Sequence, residues 1–105
     1  MIEIYGTTAV DGDQVMGKGD VYQQTVFILK KIQKILQNAG SSMEDVVRTR
    51  MYVRDISQWK EVAGAHALFF KDIKPATSMV EVSNLIDGEL LIEIEATAII
   101  TGELH

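Results

Sequence analysis

Cysteine is absent from the 105 residues of this chain, and histidine occurs only as His66 and His105. The lack of cysteine excludes disulfide bonds, thiolate catalysis and cysteine-ligated zinc. Two histidines are too few for a typical histidine-based metal site, so we expect no bound metal. No apolar run approaches the roughly 20 residues that a membrane-spanning helix needs. These absences favour a metal-free protein without a membrane partner.

Basic residues are also scarce, because ten Lys and Arg stand against fifteen Asp and Glu, giving a net charge of −5. A general nucleic-acid-binding protein needs a basic face that neutralises phosphates, and Lys and Arg cluster here only at Lys30-Lys31. We therefore predict no nucleic-acid partner. Met1 to Tyr5 lack the basic and apolar pattern of a signal peptide, and we expect a cytoplasmic location.

The length predicts a single domain over residues 1–105. Ile2 to Tyr5 alternates as a strand, and Asp11-Gly12-Asp13 is typical of a turn to a short second strand. Asp20 is an N-cap for a helix that ends near Gly40, and its apolar residues recur at steps of three and four. Residues 43–45 indicate a short helical turn.

Residues 46–53 change to the two-residue period of a strand, and a second helix is predicted over 58–70 after an N-cap at Asp55. Residues 75–98 contain two alternating runs around Asp87-Gly88, which predicts a β-hairpin. This order of elements indicates an α+β fold in which both helices pack on one face of the sheet.

Alternation along the strands assigns side chains to two faces. Val80, Val82, Ile92 and Ile94 suit the helix-covered face, with Val47, Thr49, Met51 and Val53 from the middle strand. The other face is expected to carry a mixed set: Thr77, Met79, Glu93, Glu95, Arg48, Arg50 and Tyr52. Such an amphipathic face is typical of a surface buried by self-association, since closed symmetry reuses one patch.

Several separated parts of the chain, in the same order, resemble the Rid family of YjgF-type proteins. The matching segments are Gly6-Thr7-Thr8, Asp45 to Asp55, Phe69-Phe70, Pro75-Ala76 and Glu93-Ile94-Glu95. The resemblance implies a two-layer, chorismate-mutase-like domain with a mixed sheet, assembled as a homotrimer with clefts between subunits. It also implies deamination of imines or enamines without a cofactor.

The family's Pro-Ala-Arg-Ser pattern is altered here, because Thr77 stands where the carboxylate-binding arginine belongs. The family's N-terminal tyrosine segment would also precede the first residue of this sequence. By resemblance, Glu93 positions the attacking water. Arg50 is our candidate to replace the missing clamp, because a guanidinium can hold a carboxylate with two hydrogen bonds.

The remaining candidate ligand-binding residues line the expected cleft: Gly6, Thr7, Thr8, Tyr52, Thr77 and Met79. Structural roles stay open beside these functional ones. Glu93 can instead pair with Arg48 or Arg50, Tyr52 and Met79 can serve packing, and Thr7 and Thr8 can belong to a turn. His66 is expected to be a core or interface histidine.

Three classes of function follow. The first is a Rid-family trimer that binds a small, carboxylate-bearing metabolite and hydrolyses carbon–nitrogen double bonds. The second is a non-catalytic metabolite-binding or regulatory protein. The third, a ribonuclease or translation inhibitor, is disfavoured by the negative net charge.

Overall fold

The structure is a computed structural model that describes residues 1–100. Its first helix, α1 (Val21–Asn38), has the predicted caps. The Asp20 side chain accepts a hydrogen bond of 3.0 Å from the backbone N–H of Gln23, one of the donors that a helix start leaves free. Gly40 follows the last turn with a φ of 78°, the left-handed conformation common after helices.

The second helix, α2 (Trp59–Phe70), follows a 3₁₀ turn at Ile56–Gln58. The Asp55 carboxylate accepts a hydrogen bond of 3.0 Å from the N–H of Ser57, which confirms the predicted cap. The predicted short helical turn is a 3₁₀ turn at Met43–Asp45. None of the helices within residues 1–100 is long and apolar enough to cross a membrane.

The main sheet has four strands in the order β1-β6-β4-β5. Their bounds are β1 (Ile2–Thr8), β4 (Val46–Val53), β5 (Ala76–Glu81) and β6 (Ile92–Ala98). β6 pairs antiparallel with both β1 and β4, whereas β4 and β5 are parallel, so the sheet is mixed as expected. A small separate hairpin joins β2 (Val10–Asp11) to β3 (Gln14–Val15) through the predicted turn.

The predicted hairpin between residues 75 and 98 is wrong, because β4 lies between β5 and β6. Residues 82–91 form a crossing loop instead of a tight turn. Within it, Asp87 turns the chain locally by accepting a hydrogen bond from the N–H of Glu89 at 2.8 Å. The buried amide of Gln24 fixes the end of this loop, since it donates to the carbonyl of Glu89 and accepts from the N–H of Leu91.

Both helices lie on one face of the sheet, which confirms the two-layer α+β architecture. α1 packs against β1, β6 and α2, and α2 reaches β4 through a hydrogen bond between His66 and Thr49. The buried apolar side chains form one core between the layers. β4 and β6 contribute alternate residues to it, among them Met51, Val53, Ile92 and Ile94.

Two of the predicted face assignments are wrong. Val47 is 43% exposed because a bulge in β4 shifts the register between Val46 and Arg48. β5 is inverted relative to expectation, since Thr77 is in register with buried Thr49 and Met79 with buried Met51. Residues in register on adjacent strands share a face, so Thr77 and Met79 lie on the helix side. Val80, in register with Tyr52, lies on the other side and is 47% exposed.

Candidate functional site

The sheet face that points away from the helices, here called the open face, carries a concentrated set of charged and aromatic side chains. Its members are Glu3, Tyr5, Arg48, Arg50, Tyr52, Ser78, Val80, Glu93, Glu95 and Thr97. A depression of about 400 Å³ lies on this face between Tyr5 and the two arginines. A sheet face with this mixture of charge and apolar area is suited to binding a polar ligand or a second protein surface.

A bulge in β1 shapes one side of the open face. β1 and β6 are in register at Ile4 and again at Thr7, so Tyr5 and Gly6 together face one residue of β6. The buried Thr7 hydroxyl donates to the carbonyl of Tyr5 at 2.9 Å and so stabilises this bend. Bulges re-aim side chains and are enriched beside active sites. At this bend Tyr5 is 72% exposed.

Gly6 allows the Glu93 carboxyl group to lie directly against β1. A methyl group built on Gly6 would overlap Oε1 of Glu93 and would lie 2.9 Å from its Cδ. Only a residue without a side chain therefore leaves room for this position of Glu93. Glu93 is in register with Thr8 of β1 on one side and with Tyr52 of β4 on the other, so the three side chains share the open face.

The Glu93 side chain is half-buried, yet its carboxylate makes no hydrogen bond or ion pair with any residue in the described range 1–100. Polar side-chain atoms that are shielded from solvent usually have a hydrogen-bond partner, either protein or ordered water. The ion pair considered from the sequence, between Glu93 and Arg48 or Arg50, is therefore not formed within this part of the chain. The Glu93 oxygens are left available to water or to a ligand.

The second glutamate of the Glu-Ile-Glu run is held differently. The Tyr52 hydroxyl donates a hydrogen bond of 2.9 Å to Oε1 of Glu95. This hydrogen bond to the Glu95 carboxylate raises the pKa of Tyr52, and loss of solvent and the negative charge of Glu95 add to the effect. Arg50 acts in the opposite direction on the same hydroxyl. Glu93 and Glu95 therefore differ in chemistry although they share a face.

The open-face arginines have no carboxylate partner among residues 1–100. An ion pair within 4.0 Å in that range joins Lys18 and Glu89 elsewhere on the surface. Arg50 is in register with Glu95 and is diagonal to Glu93, a relation that places side chains about 7–8 Å apart. A small ligand could therefore reach Arg50 with one end and Glu93 with the other.

Two predicted ligand-binding residues lie away from this site. Thr77 and Met79 are on the helix side of β5, so within one chain the sheet itself separates them from Glu93 and Arg50. The Thr77 hydroxyl donates to the carbonyl of Pro75 at 2.9 Å. Met79 packs against the hydrophobic core. Thr7, also expected to contact ligand, has its hydroxyl engaged within the bulge.

His66 lies between the layers, as expected for a core histidine. Its Nε2 is 3.0 Å from the Thr49 hydroxyl, and its ring is tilted against Phe70 at a centroid distance of 4.6 Å. Burial lowers the pKa of His66 below its ordinary value, so the ring is neutral at pH 7. Among residues 1–100, no group of three His, Asp or Glu side chains is arranged to hold a metal ion.

The bond between Tyr52 and Glu95 and the exposure of Tyr5 were not predicted from the sequence. Alternation along β4 and β6 places Tyr52 and Glu95 on one face, but which of two neighbouring carboxylates accepts the bond depends on strand register. Gly6 was a signal for the irregularity at Tyr5, because glycine within a strand pattern often marks a bulge.

These features define a class of small α+β domain with a mixed four-stranded sheet, two helices on one face and a charged open face. Residues 1–100 match the family model described as Endoribonuclease L-PSP. The chain belongs to this family, which confirms the resemblance to YjgF-type Rid proteins.

Relatives with curated names carry the designation RutC. A RutC family protein of Pyrococcus abyssi is 38% identical over 81 residues, which are 77% of this chain and 63% of that protein. This chain therefore spans less than two thirds of the length of that relative. The 3-aminoacrylate deaminase RutC of Acinetobacter baylyi is 33% identical over 88 residues, covering 84% of this chain and 69% of the relative.

Solved structures show the same fold. A member of the YjgF/YER057c/UK114 family from Mycobacterium tuberculosis aligns with a TM-score of 0.84 and 46% identity, covering 93% of this chain and 77% of that one. A protein of the conserved Rid family from Yersinia pestis, titled as being of unknown function, aligns with a TM-score of 0.83 and 35% identity. That alignment covers 94% of this chain and 77% of the other.

Proposed function

We propose that this protein is a deaminase-type hydrolase that acts on the imine or enamine form of a small carboxylate-bearing metabolite. The observation that carries the proposal is the Glu93 carboxylate, which is half-buried, set against Gly6 and without a partner among residues 1–100. The name of the Acinetobacter baylyi relative, a 3-aminoacrylate deaminase, supports the same type of reaction.

Glu93 acts as a general base and then as a general acid. An enamine first tautomerises to the imine. Glu93 then takes a proton from water as the water oxygen bonds to the imine carbon, and the electron pair of the C=N bond moves to nitrogen. Nitrogen takes the proton from Glu93, giving a carbinolamine.

In the second half of the reaction, Glu93 removes the hydroxyl proton of the carbinolamine and returns it to nitrogen. The C–N bond breaks, ammonia leaves and a carbonyl group forms. One water is consumed for each ammonia released, and Glu93 is regenerated. No cofactor takes part.

Arg50 binds the carboxylate of the substrate in this proposal. It shares the open face with Glu93, has no carboxylate partner within residues 1–100, and lies diagonal to Glu93 across β4 and β6. A guanidinium can make two parallel hydrogen bonds to a carboxylate, which fixes the orientation of the substrate as well as its position. Arg50 on β4 therefore provides the cation that Thr77 on β5 cannot provide.

The complete cleft is formed between subunits of a homotrimer. Thr77 and Met79 face away from Glu93 in one chain, so they can line the same cleft only when they come from a neighbouring copy. The exposed apolar side chains around the charged open face, Tyr5, Val47 and Val80, support burial of this face by self-association.

The test is ammonia release from 2-imino acids generated in situ, compared with their spontaneous hydrolysis. Wild-type protein should accelerate the reaction, and Glu93→Gln should lower the rate by about 100-fold or more, since general acid–base groups contribute about 10²–10⁴-fold. Glu89→Gln, on the surface loop, is the matched control and should retain activity. Equal rates for the wild type and Glu93→Gln would overturn the proposal.

A non-catalytic metabolite-binding or regulatory role is the second candidate. Its support is Thr77, which stands where the family has a carboxylate-binding arginine. The Thr77 hydroxyl donates to the carbonyl of Pro75. This candidate predicts a thermal shift with 2-oxo acids but no acceleration of imine hydrolysis. The ribonuclease activity in the name of the family model is disfavoured by the net charge of −5, and failure to cleave RNA would exclude it.

A further inference from the structure

Arg50 and Glu95 face each other directly across β4 and β6. Opposite charges at such cross-strand positions normally attract each other, because their Cβ atoms lie about 4.5–5.5 Å apart. No ion pair within 4.0 Å nevertheless forms between them. The absence of this pair needs a physical cause.

Glu95 is instead hydrogen-bonded to Tyr52. Tyr52 is two residues after Arg50 on the same strand, so both side chains are on the open face and both can reach Glu95. The Tyr52 hydroxyl holds Oε1 of Glu95 at 2.9 Å. The tyrosine holds Oε1 of Glu95 in this structure, and Arg50 interacts with the same Tyr52 hydroxyl, so Tyr52 lies between the guanidinium and the carboxylate.

We propose that Tyr52 is a positioning residue that draws Glu95 away from Arg50 and thereby keeps the Arg50 guanidinium available for the carboxylate of a ligand. This inference rests on the proposed function, in which Arg50 is the carboxylate-binding residue. It assigns Tyr52 an indirect role, in place of the direct ligand contact expected from the sequence.

The arrangement also separates the two glutamates of the open face. Glu95 stays bound to Tyr52 as a fixed anion, while Glu93 is left for water. If Glu95 were released, it would be the nearest anion to Arg50 and would compete with any ligand carboxylate. The affinity for carboxylates is therefore set in part by a residue that does not touch the ligand.

The test measures binding of pyruvate and of its uncharged analogue pyruvamide by calorimetry. Tyr52→Phe removes only the hydroxyl and should weaken pyruvate binding by up to about fivefold, the effect of a cross-strand ion pair of about 1 kcal/mol. Adding Glu95→Gln to Tyr52→Phe should restore at least the wild-type affinity, because the competing charge is gone. Tyr22→Phe, on α1, is the matched control and should bind pyruvate as the wild type does.

The outcomes separate this inference from the proposed function. If Arg50→Ala binds pyruvate as tightly as the wild type, or pyruvamide binds as well as pyruvate, the proposed role of Arg50 fails and the inference fails with it. If Arg50→Ala weakens binding but Tyr52→Phe does not, only the positioning role of Tyr52 is refuted. If Tyr52→Phe weakens pyruvate binding and the added Glu95→Gln does not restore it, the positioning role is also refuted. Tyr52 would then act by direct contact or by packing.

Discussion

The substitution Gly6→Ala tests whether the position of Glu93 against β1 controls activity. The added methyl group would lie 2.9 Å from Cδ of Glu93, against an ordinary contact distance of about 3.5–4.0 Å. The carboxyl group must therefore move by at least about 0.6–1.1 Å, the difference between these values, because the overlap with Oε1 is closer still. A displacement of about 1 Å at a reacting group can cost about 100-fold in rate, so we expect kcat/KM for imine hydrolysis to fall by about that factor.

The stability of Gly6→Ala should stay close to that of the wild type. The φ angle of Gly6 is outside the left-handed region, so alanine is not strained there. Alanine also lowers the conformational entropy of the unfolded chain, which raises the free energy of unfolding by about 0.4–1 kcal/mol. Forcing Glu93 from its rotamer costs about 0.5–1.5 kcal/mol. The two effects oppose each other, and urea unfolding should give a net change within about 1 kcal/mol.

Two comparisons make this prediction refutable. In a Glu93→Ala background the overlap is gone, so Gly6→Ala should raise the free energy of unfolding by about 0.4–1 kcal/mol. Gly88→Ala is the control, because a methyl group there would meet nothing within 4 Å. Full activity in Gly6→Ala, or the same stability change with and without Glu93, would show that Gly6 does not act through the Glu93 carboxylate.

Two further predictions concern stability. The pKa of half-buried His66 is lowered, so the unfolded chain binds more protons than the folded one below about pH 6.5, and the free energy of unfolding should fall as pH drops below that value. His66→Phe should flatten this pH dependence in denaturant titrations. An unchanged slope would contradict the assignment. Asp20→Ala removes the acceptor for the N–H of Gln23 and should cost about 1 kcal/mol by urea unfolding, whereas Asp13→Ala, in the β2–β3 turn, should cost less.

The parts of the fold that local chemistry determines could be predicted from the sequence. Asp20 and Gly40 bound α1 because capping depends on residues within one turn of the helix ends. The partner of β5 could not be predicted in the same way. The alternating runs around Asp87-Gly88 describe two strands. The strand that lies between them in the sheet is β4, which ends at Val53, far before β6 begins at Ile92, and no local signal identifies it.

The candidate site was predictable to the same degree. Alternation placed Arg50, Tyr52, Glu93 and Glu95 on one face, and the structure places them there. The error at Thr77 followed from the assumed hairpin, since a different partner strand changes the face on which a β5 residue lies. The partners of each charge were beyond prediction, because they depend on which of two competing side chains reaches Glu95.

The central place of β6 in the sheet has a consequence for how the chain acquires its structure. β6 is the last of the four strands in sequence, yet it provides every strand contact that joins β1 to the rest of the sheet. A nascent chain that ends before residue 92 can form only the parallel pair of β4 and β5 from the main sheet, with β1 unpaired. Closure of long chain segments must precede these pairings, so folding should be a single late event that is slower than for helical proteins of this size.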